Sequence, residues 1–207
     1  MSVASFPSAT KRVFDVAAAL AGLVLLAPVF VAVAVWISLD SPGPVFFRQE
    51  RVGRGGLPFR IHKFRTMRVA PGSSGPALTV GADPRITQAG AFLRRTKLDE
   101  LSQLIDVLRG DMSIVGPRPE LPQFVAGYPP ELRAKVLSVR PGITDPASLQ
   151  FRDESTLLAR AADPEKEYRE VVLPAKLRLA ADYVDKATLS GDLRLIASTL
   201  RALWSRP

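Results

Sequence analysis

VAAALAGLVLLAPVFVAVAVWISL, residues 16–39, carries no charged residue and is bounded by Asp15 and Asp40. As one α-helix rising ~1.5 Å per residue it reaches roughly 36 Å, more than the ~30 Å hydrocarbon core of a bilayer. Trp36 stands near one end, where an amphipathic ring suits a membrane–water interface. The run is too long and too poorly flanked for a secretory signal, and no small-residue cleavage site separates it from the rest of the chain. A buried helix of a soluble core is the plainer alternative, but such helices rarely run this far without a polar face. The stretch therefore reads as a membrane segment.

Two features argue against a simple span. Pro28 lies near the centre, where it removes one backbone hydrogen bond and crowds the preceding turn. Lys11 and Arg12 precede the run, and Arg48, Arg51 and Arg54 follow it. Positive residues favour the cytoplasmic side, and here both flanks carry them. A helix broken at Ala27–Pro28, entering and leaving through one leaflet, satisfies both flanks; a kinked full span is the alternative. The chain then divides into a membrane segment, 1–40, and a domain, 41–207.

The chain has 207 residues, no cysteine, a single histidine (His62) and a formal net charge of +8. The length suits one domain with an appendage. Disulfides, thiolate catalysis and zinc–thiolate sites are excluded, and one histidine makes a histidine-rich metal site or a serine triad a poor fit. The charge calls for an anionic partner: acidic lipid, nucleic acid or a phosphate-rich substrate. Only 7% of the residues are aromatic, which gives little support to base stacking.

Beyond the apolar run, 45–52 and 57–66 read as short strands around the glycine-rich GRGG, 53–56. A Gly/Ser/Pro-rich loop, expected to be mobile, covers 69–84. Thr87 is placed to cap a short helix through Arg95. A second helix is expected over 98–108, with Leu98, Leu101, Leu104, Ile105 and Leu108 inward. GDMSIVGPRP, 110–119, reads as a rigid loop, and helices are expected at 130–138, 153–162 and 164–189. In 191–205, Leu193, Ile196, Leu200, Leu203 and Trp204 share one face, which suits a helix in the membrane interface. The fold class is α+β, mostly helical.

Three polar groupings stand out. LDELSQL, 98–104, places Asp99 and Glu100 side by side at a helix start. There the dipole and the cations Arg94, Arg95 and Lys97 would keep Asp99 ionised. Such acids often do no more than offset the helix dipole; the sharper reading is a catalytic pair. In RIHKFRT, 60–66, strand alternation sends Lys63 and Arg65 together toward an anionic ligand and leaves His62 with no evident partner. In GPRP, 116–119, the prolines stiffen the backbone around Arg118, which suits bidentate phosphate binding.

The run RRTKLDELSQLIDVLRGDMSIVGPRP, 94–119, closely resembles the signature of the bacterial sugar transferase family, the monotopic polyprenyl-phosphate phosphoglycosyl transferases. KRVFD (11–15), RQERVGRGGLPFRIHKFRTM (48–67), DPRITQAGAFLR (83–94), RPGIT (140–144), PAKLRLAADYV (174–184) and DLRLIASTL (192–200) resemble its further blocks. The resemblance implies a re-entrant membrane helix broken at Pro28 and a small cytoplasmic catalytic domain on the inner membrane. It implies transfer of a sugar 1-phosphate from a UDP-sugar to undecaprenyl phosphate, with magnesium, as the first membrane step of surface glycan synthesis. Asp99 would be the nucleophile and Glu100 its metal-binding neighbour. Arg94, Arg118 and Asp192 fall on positions linked to activity, with Lys63 and Arg65 as further phosphate ligands. Membrane lipids are expected partners and nucleic acid is not; the sequence is silent on oligomeric state. Ala27 stands where the family often has serine, and Asp106 stands at a commonly neutral position. Asp145 replaces a glycine, which bears on sugar recognition. The competing reading is a non-catalytic, membrane-anchored basic protein that binds acidic lipid or nucleic acid.

Overall fold

The computed structural model describes residues 8–68, 78, 81 and 83–204. Its first element, α1 (Ser8–Asp40), is one helix that runs through Pro28 without interruption. The expected break at Ala27–Pro28 lies inside this continuous element, where the proline withholds one N–H from the ladder. Among the described residues α1 is the one helix long and apolar enough to cross a membrane.

One stripe of α1 is covered by the rest of the chain. Ala19, Leu23, Leu26 and Phe30 pack with Ile61, Leu104, Val107 and Met112. Further along, Val33 and Ile37 pack with Phe64, Ala89 and Leu93. The helical repeat puts Val13, Leu20, Val24, Val31 and Val35 on the opposite side, where all are exposed. Gly22 lets the domain come close, since a Cβ there would lie 3.0 Å from a Leu104 methyl.

Polar contacts pin both ends of this helix to the same domain. At its start, Lys11 Nζ donates to Asp192 Oδ2 at 2.5 Å, and Arg12 donates to the carbonyls of Val107 (2.7 Å) and Leu108 (3.1 Å). One turn on, buried Asp15 accepts from Ser113 Oγ (2.8 Å) and Ile114 N (3.0 Å). At its end, Arg65 donates to the carbonyls of Ile37, Ser41 and Pro42, and Asp40 accepts from Ala89 N at 3.0 Å.

A hairpin comes next. β1 (Phe46–Val52) pairs antiparallel with β2 (Pro58–Phe64), with Phe46 opposite Phe64 and Val52 opposite Pro58. Gly55 and Gly56 close the turn at φ 69° and 82°, a region that suits glycine. Of the 69–84 loop, residues 69–77, 79, 80 and 82 lie outside the described residues. Thr87 caps α2 (Gln88–Thr96) as expected, its side chain accepting from Gly90 N.

The expected helix over 98–108 is two elements. Leu98–Gln103 winds as a 3-10 turn and α3 (Leu104–Arg109) as an α-helix. A 3-10 residue advances ~120° against ~100° in an α-helix, so six of them rotate the inward face by about 120°. Asp99, Ser102, Gln103, Leu104, Asp106 and Val107 are buried, whereas Leu98, Leu101 and Ile105 are only half-buried.

Part of the expected 110–119 loop is β3 (Ser113–Val115); beyond it lie α4 (Pro122–Val125) and α5 (Pro130–Val136). β3 pairs parallel with β4 (Gly142–Thr144). The chains touch just beyond β3, where a Cβ on Gly116 would lie 2.5 Å from Arg140 O. The next elements are α6 (Pro146–Gln150), α7 (Glu154–Leu158), α8 (Pro164–Glu167), a π-turn (Tyr168–Val172) and α9 (Leu173–Lys186). They close a second core around Phe124, Tyr168, Val172 and Leu177. α10 (Leu189–Trp204) ends the described chain; Leu193 and Leu200 are exposed on it.

Candidate active site

Three elements converge: β2 brings Lys63, the 3-10 turn brings Asp99 and Glu100, and the loop after β3 brings Arg118. Glu100 Oε1 accepts from Lys63 Nζ at 2.7 Å. Arg118 grips the same carboxylate with both terminal nitrogens, NH1 to Oε2 at 3.1 Å and NH2 to Oε1. This is the fork geometry of a bidentate pair. Asp99 is 7% exposed, and its buried Oδ1 has no hydrogen-bond partner. A buried unpaired carboxylate oxygen costs free energy that a purely structural residue would not retain.

The two acids differ in charge state. Burial raises the pKa of Asp99 from its ordinary value, and the neighbouring Glu100 charge adds to this against the pull of Lys63, Lys97 and Arg94. The cations Lys97 and Arg94 do favour the ionised form, as expected, and desolvation is the larger effect opposing them. Glu100 is buried too, yet Arg118 and Lys63 outweigh its desolvation and hold it well below its ordinary value. Burial lowers the Lys63 pKa although Glu100 opposes the shift. Arg94 donates through Nε to Thr66 Oγ1 at 3.0 Å and exerts its charge on Asp99.

Three expected site residues lie apart from this cluster. Arg65 is buried against the carbonyls at the end of α1, so it does not face a ligand alongside Lys63. β2 ends at Phe64, and Arg65, just beyond it, is turned to the end of α1. Asp192 meets Lys11 and accepts from Tyr183 OH at 2.8 Å. Pro28 sits in mid-helix. His62 does have a partner: its Nδ1 lies 2.5 Å from Asp106 Oδ1, and its backbone N donates to Asp106 Oδ2 at 2.8 Å. Ser102 Oγ donates to His62 O at 3.1 Å, so the residue before Lys63 is held on three sides.

Asp145 caps α6, accepting from Ser148 N at 2.7 Å, and its other oxygen accepts from Arg118 N at 3.3 Å. Behind the loop, Glu120 accepts from Tyr168 OH (2.6 Å) and Lys176 Nζ (3.1 Å). Arg51 also lies 3.8 Å from Glu120 and donates to Pro119 O. Sequence reading missed this network, since nothing local marks Glu120, Tyr168 and Lys176 as partners. His62–Asp106 had a signal, because strand alternation sends His62 to the face opposite Lys63.

The cluster suits a phosphate-bearing ligand: cations to neutralise its oxygens, and an unpaired carboxylate able to attack. A magnesium ion takes one or two carboxylates together with substrate oxygens. Glu100 and the unpaired Asp99 Oδ1 supply that number, and no group of three or more possible ligands occurs among the described residues. The donor set fits an ion shared with a phosphate ligand rather than one caged by protein alone.

Residues 6–206 match the family described as bacterial sugar transferase. The chain is 40% identical over 199 residues to "Exopolysaccharide production protein PSS" of Rhizobium leguminosarum bv. phaseoli, covering 92% of each chain. It is 38% identical to "UDP-glucose:undecaprenyl-phosphate glucose-1-phosphate transferase" of Caulobacter vibrioides, covering 93% of this chain and 69% of that one. It is 47% identical to "Putative undecaprenyl-phosphate N-acetylgalactosaminyl 1-phosphate transferase" of Bacillus subtilis, covering 60% of this chain and 69% of that one.

Proposed function

Because the chain belongs to the bacterial sugar transferase family, we propose that it transfers a sugar 1-phosphate from a UDP-sugar to undecaprenyl phosphate, with Asp99 as nucleophile. The observation that carries this reading is the buried, unpaired Asp99 Oδ1 beside a Glu100 already clamped by Lys63 and Arg118. An Asp99 oxygen attacks the sugar-bearing phosphorus, and the bond from that phosphorus to the UMP oxygen breaks. UMP leaves, and an aspartyl phosphosugar remains. A phosphate oxygen of undecaprenyl phosphate then attacks the same phosphorus and displaces the Asp99 carboxylate, giving undecaprenyl-diphosphate sugar.

Lys63 and Arg118 orient Glu100 and add positive charge where phosphate oxygens would lie. Arg94 favours the ionised form of Asp99. Magnesium, held by Glu100 and Asp99 with substrate oxygens, would supply further neutralisation of phosphate charge. We place the protein on the cytoplasmic face of the inner membrane, with both ends of α1 in the cytoplasm. Supporting this, the polar contacts at Lys11, Arg12 and Asp15 and those at Ile37–Pro42 are made to one domain. A helix that crossed the bilayer would carry its ends to opposite sides.

The test omits the acceptor. Enzyme with a panel of UDP-sugars and magnesium should release about one UMP per active site and retain a phosphosugar mapped to Asp99. Asp99→Asn should abolish both. Normal turnover by Asp99→Asn would overturn the assignment.

A further inference from the structure

Three guanidinium groups gather at the C-terminal end of α3. Arg12 donates there to Val107 O and Leu108 O. Arg140 donates through Nε to Gly110 O at 2.7 Å. Arg54, on the hairpin turn, donates through Nε to Ser138 O at 3.1 Å, two residues before Arg140. Every one of these contacts is to a backbone carbonyl. Among the described residues, no carboxylate lies within 4.0 Å of any of the three. Burial lowers the Arg140 pKa, and the charges of Arg12 and Arg54 lower it further. Asp15 opposes this, but its carboxylate is occupied by Ser113 and Ile114.

Exposed apolar side chains neighbour two of these arginines in sequence. Val13, next to Arg12, is 70% exposed and begins the bare stripe of α1. Leu57, three residues beyond Arg54, is 71% exposed. Unneutralised guanidinium groups beside bare apolar side chains match the chemistry of a bilayer surface, where phosphate lies just above acyl chain. Among the described residues Arg54 and Arg140 bond through Nε, and their terminal nitrogens present forks that suit phosphate oxygens.

We propose that Arg12, Arg54 and Arg140 form a binding site for the phosphate headgroup of an anionic phospholipid. The site is separate from the catalytic cluster: α3, about 9 Å long at ~1.5 Å per residue, lies between its C-terminal carbonyls and the Asp99–Glu100 turn. The inference rests on the membrane placement of α1 proposed above. Its role is to hold the start of α1 at headgroup depth.

The experiment uses the full chain in nanodiscs of phosphatidylcholine and phosphatidylglycerol, followed by native mass spectrometry of the lipid retained on the released protein. The wild type should retain phosphatidylglycerol over phosphatidylcholine by about tenfold. The Arg54→Gln/Arg140→Gln double variant should lose that preference yet keep UMP release from UDP-sugar. Arg54→Gln alone, which leaves the α3 contacts intact, should show a partial loss. Equal retention of the two lipids by wild type, or an unchanged preference in a folded variant, would overturn the proposal. So would displacement of the lipid by millimolar inorganic phosphate, which would mark a free-phosphate site. Lipid preference without UMP release would sink the catalytic reading alone; UMP release without preference would sink only this one.

Discussion

Asp99 must lose its proton to attack phosphorus, and its raised pKa makes that loss harder than for an exposed aspartate. UMP release should therefore fall as pH drops, with its acid limb shifted upward from that of an ordinary aspartate. Glu100→Gln removes the like charge while Lys63 and Arg118 remain, so the acid limb should move to lower pH even as the rate falls. Burst rates measured across pH in both proteins check this. Arg118→Lys keeps the charge and loses the fork around Glu100. The rate should drop about tenfold to a hundredfold, within the ~1.5–3 kcal/mol of a charged hydrogen bond. Asp145→Ala removes the α6 cap and the contact to Arg118 N, at a cost of about 1 kcal/mol in denaturant unfolding. Asp145→Asn keeps one acceptor oxygen, enough for the cap or for the contact to Arg118 N but not both, and should be milder. Asp99, Glu100 and Arg118 stood out in sequence because they lie in short, unusual strings. Asp145 read as a departure bearing on sugar recognition, since the cap and the contact to Arg118 appear only once β4 lies beside β3.

At the scale of elements, α1 was legible from its apolar length, and the hairpin from alternation around GRGG. The face of the 98–109 segment was not, because helical periodicity assumes α winding and Lys97, at φ 58°, ends α2 and starts a tighter turn. Arg65 was misdirected for a related reason: the strand stops at Phe64, and beyond it the chain bends to cap α1. The topology of α1 can be tested with Ala9→Cys and Pro44→Cys, both at exposed positions. Neither should react with a membrane-impermeant thiol reagent added to intact cells; labelling of either from outside would contradict one-sided entry. Gly116→Ala would drive a methyl into Arg140 O. It should destabilise the β3–β4 pair by about 3 kcal/mol or more in thermal unfolding.

In the whole molecule, α1 serves as a wall of the domain as well as its membrane element. It closes two of the three apolar clusters, one at Ala19 and the other at Val33 and Ile37. The sequence division at residue 40 does not separate folding units, since α1 packs into these clusters. A 41–207 fragment should expose Ile61, Phe64, Leu93 and Val107, and should aggregate where the full chain in detergent stays monodisperse by size exclusion. Recovery of a soluble fragment with native unfolding behaviour would refute this.

The Lys11–Asp192 contact joins residues 181 positions apart. During synthesis the ribosome delivers α1 before α10, and Lys11 waits for its acid until 181 further residues have been added. Local helices form early, while contacts this distant in sequence close late. Entering the lipid as proposed above, α1 would do so before the groups that hold its start exist, with α10 as the latch. A nascent chain stalled before residue 189 would carry an inserted but unlatched helix, open to quality-control proteases until translation finishes.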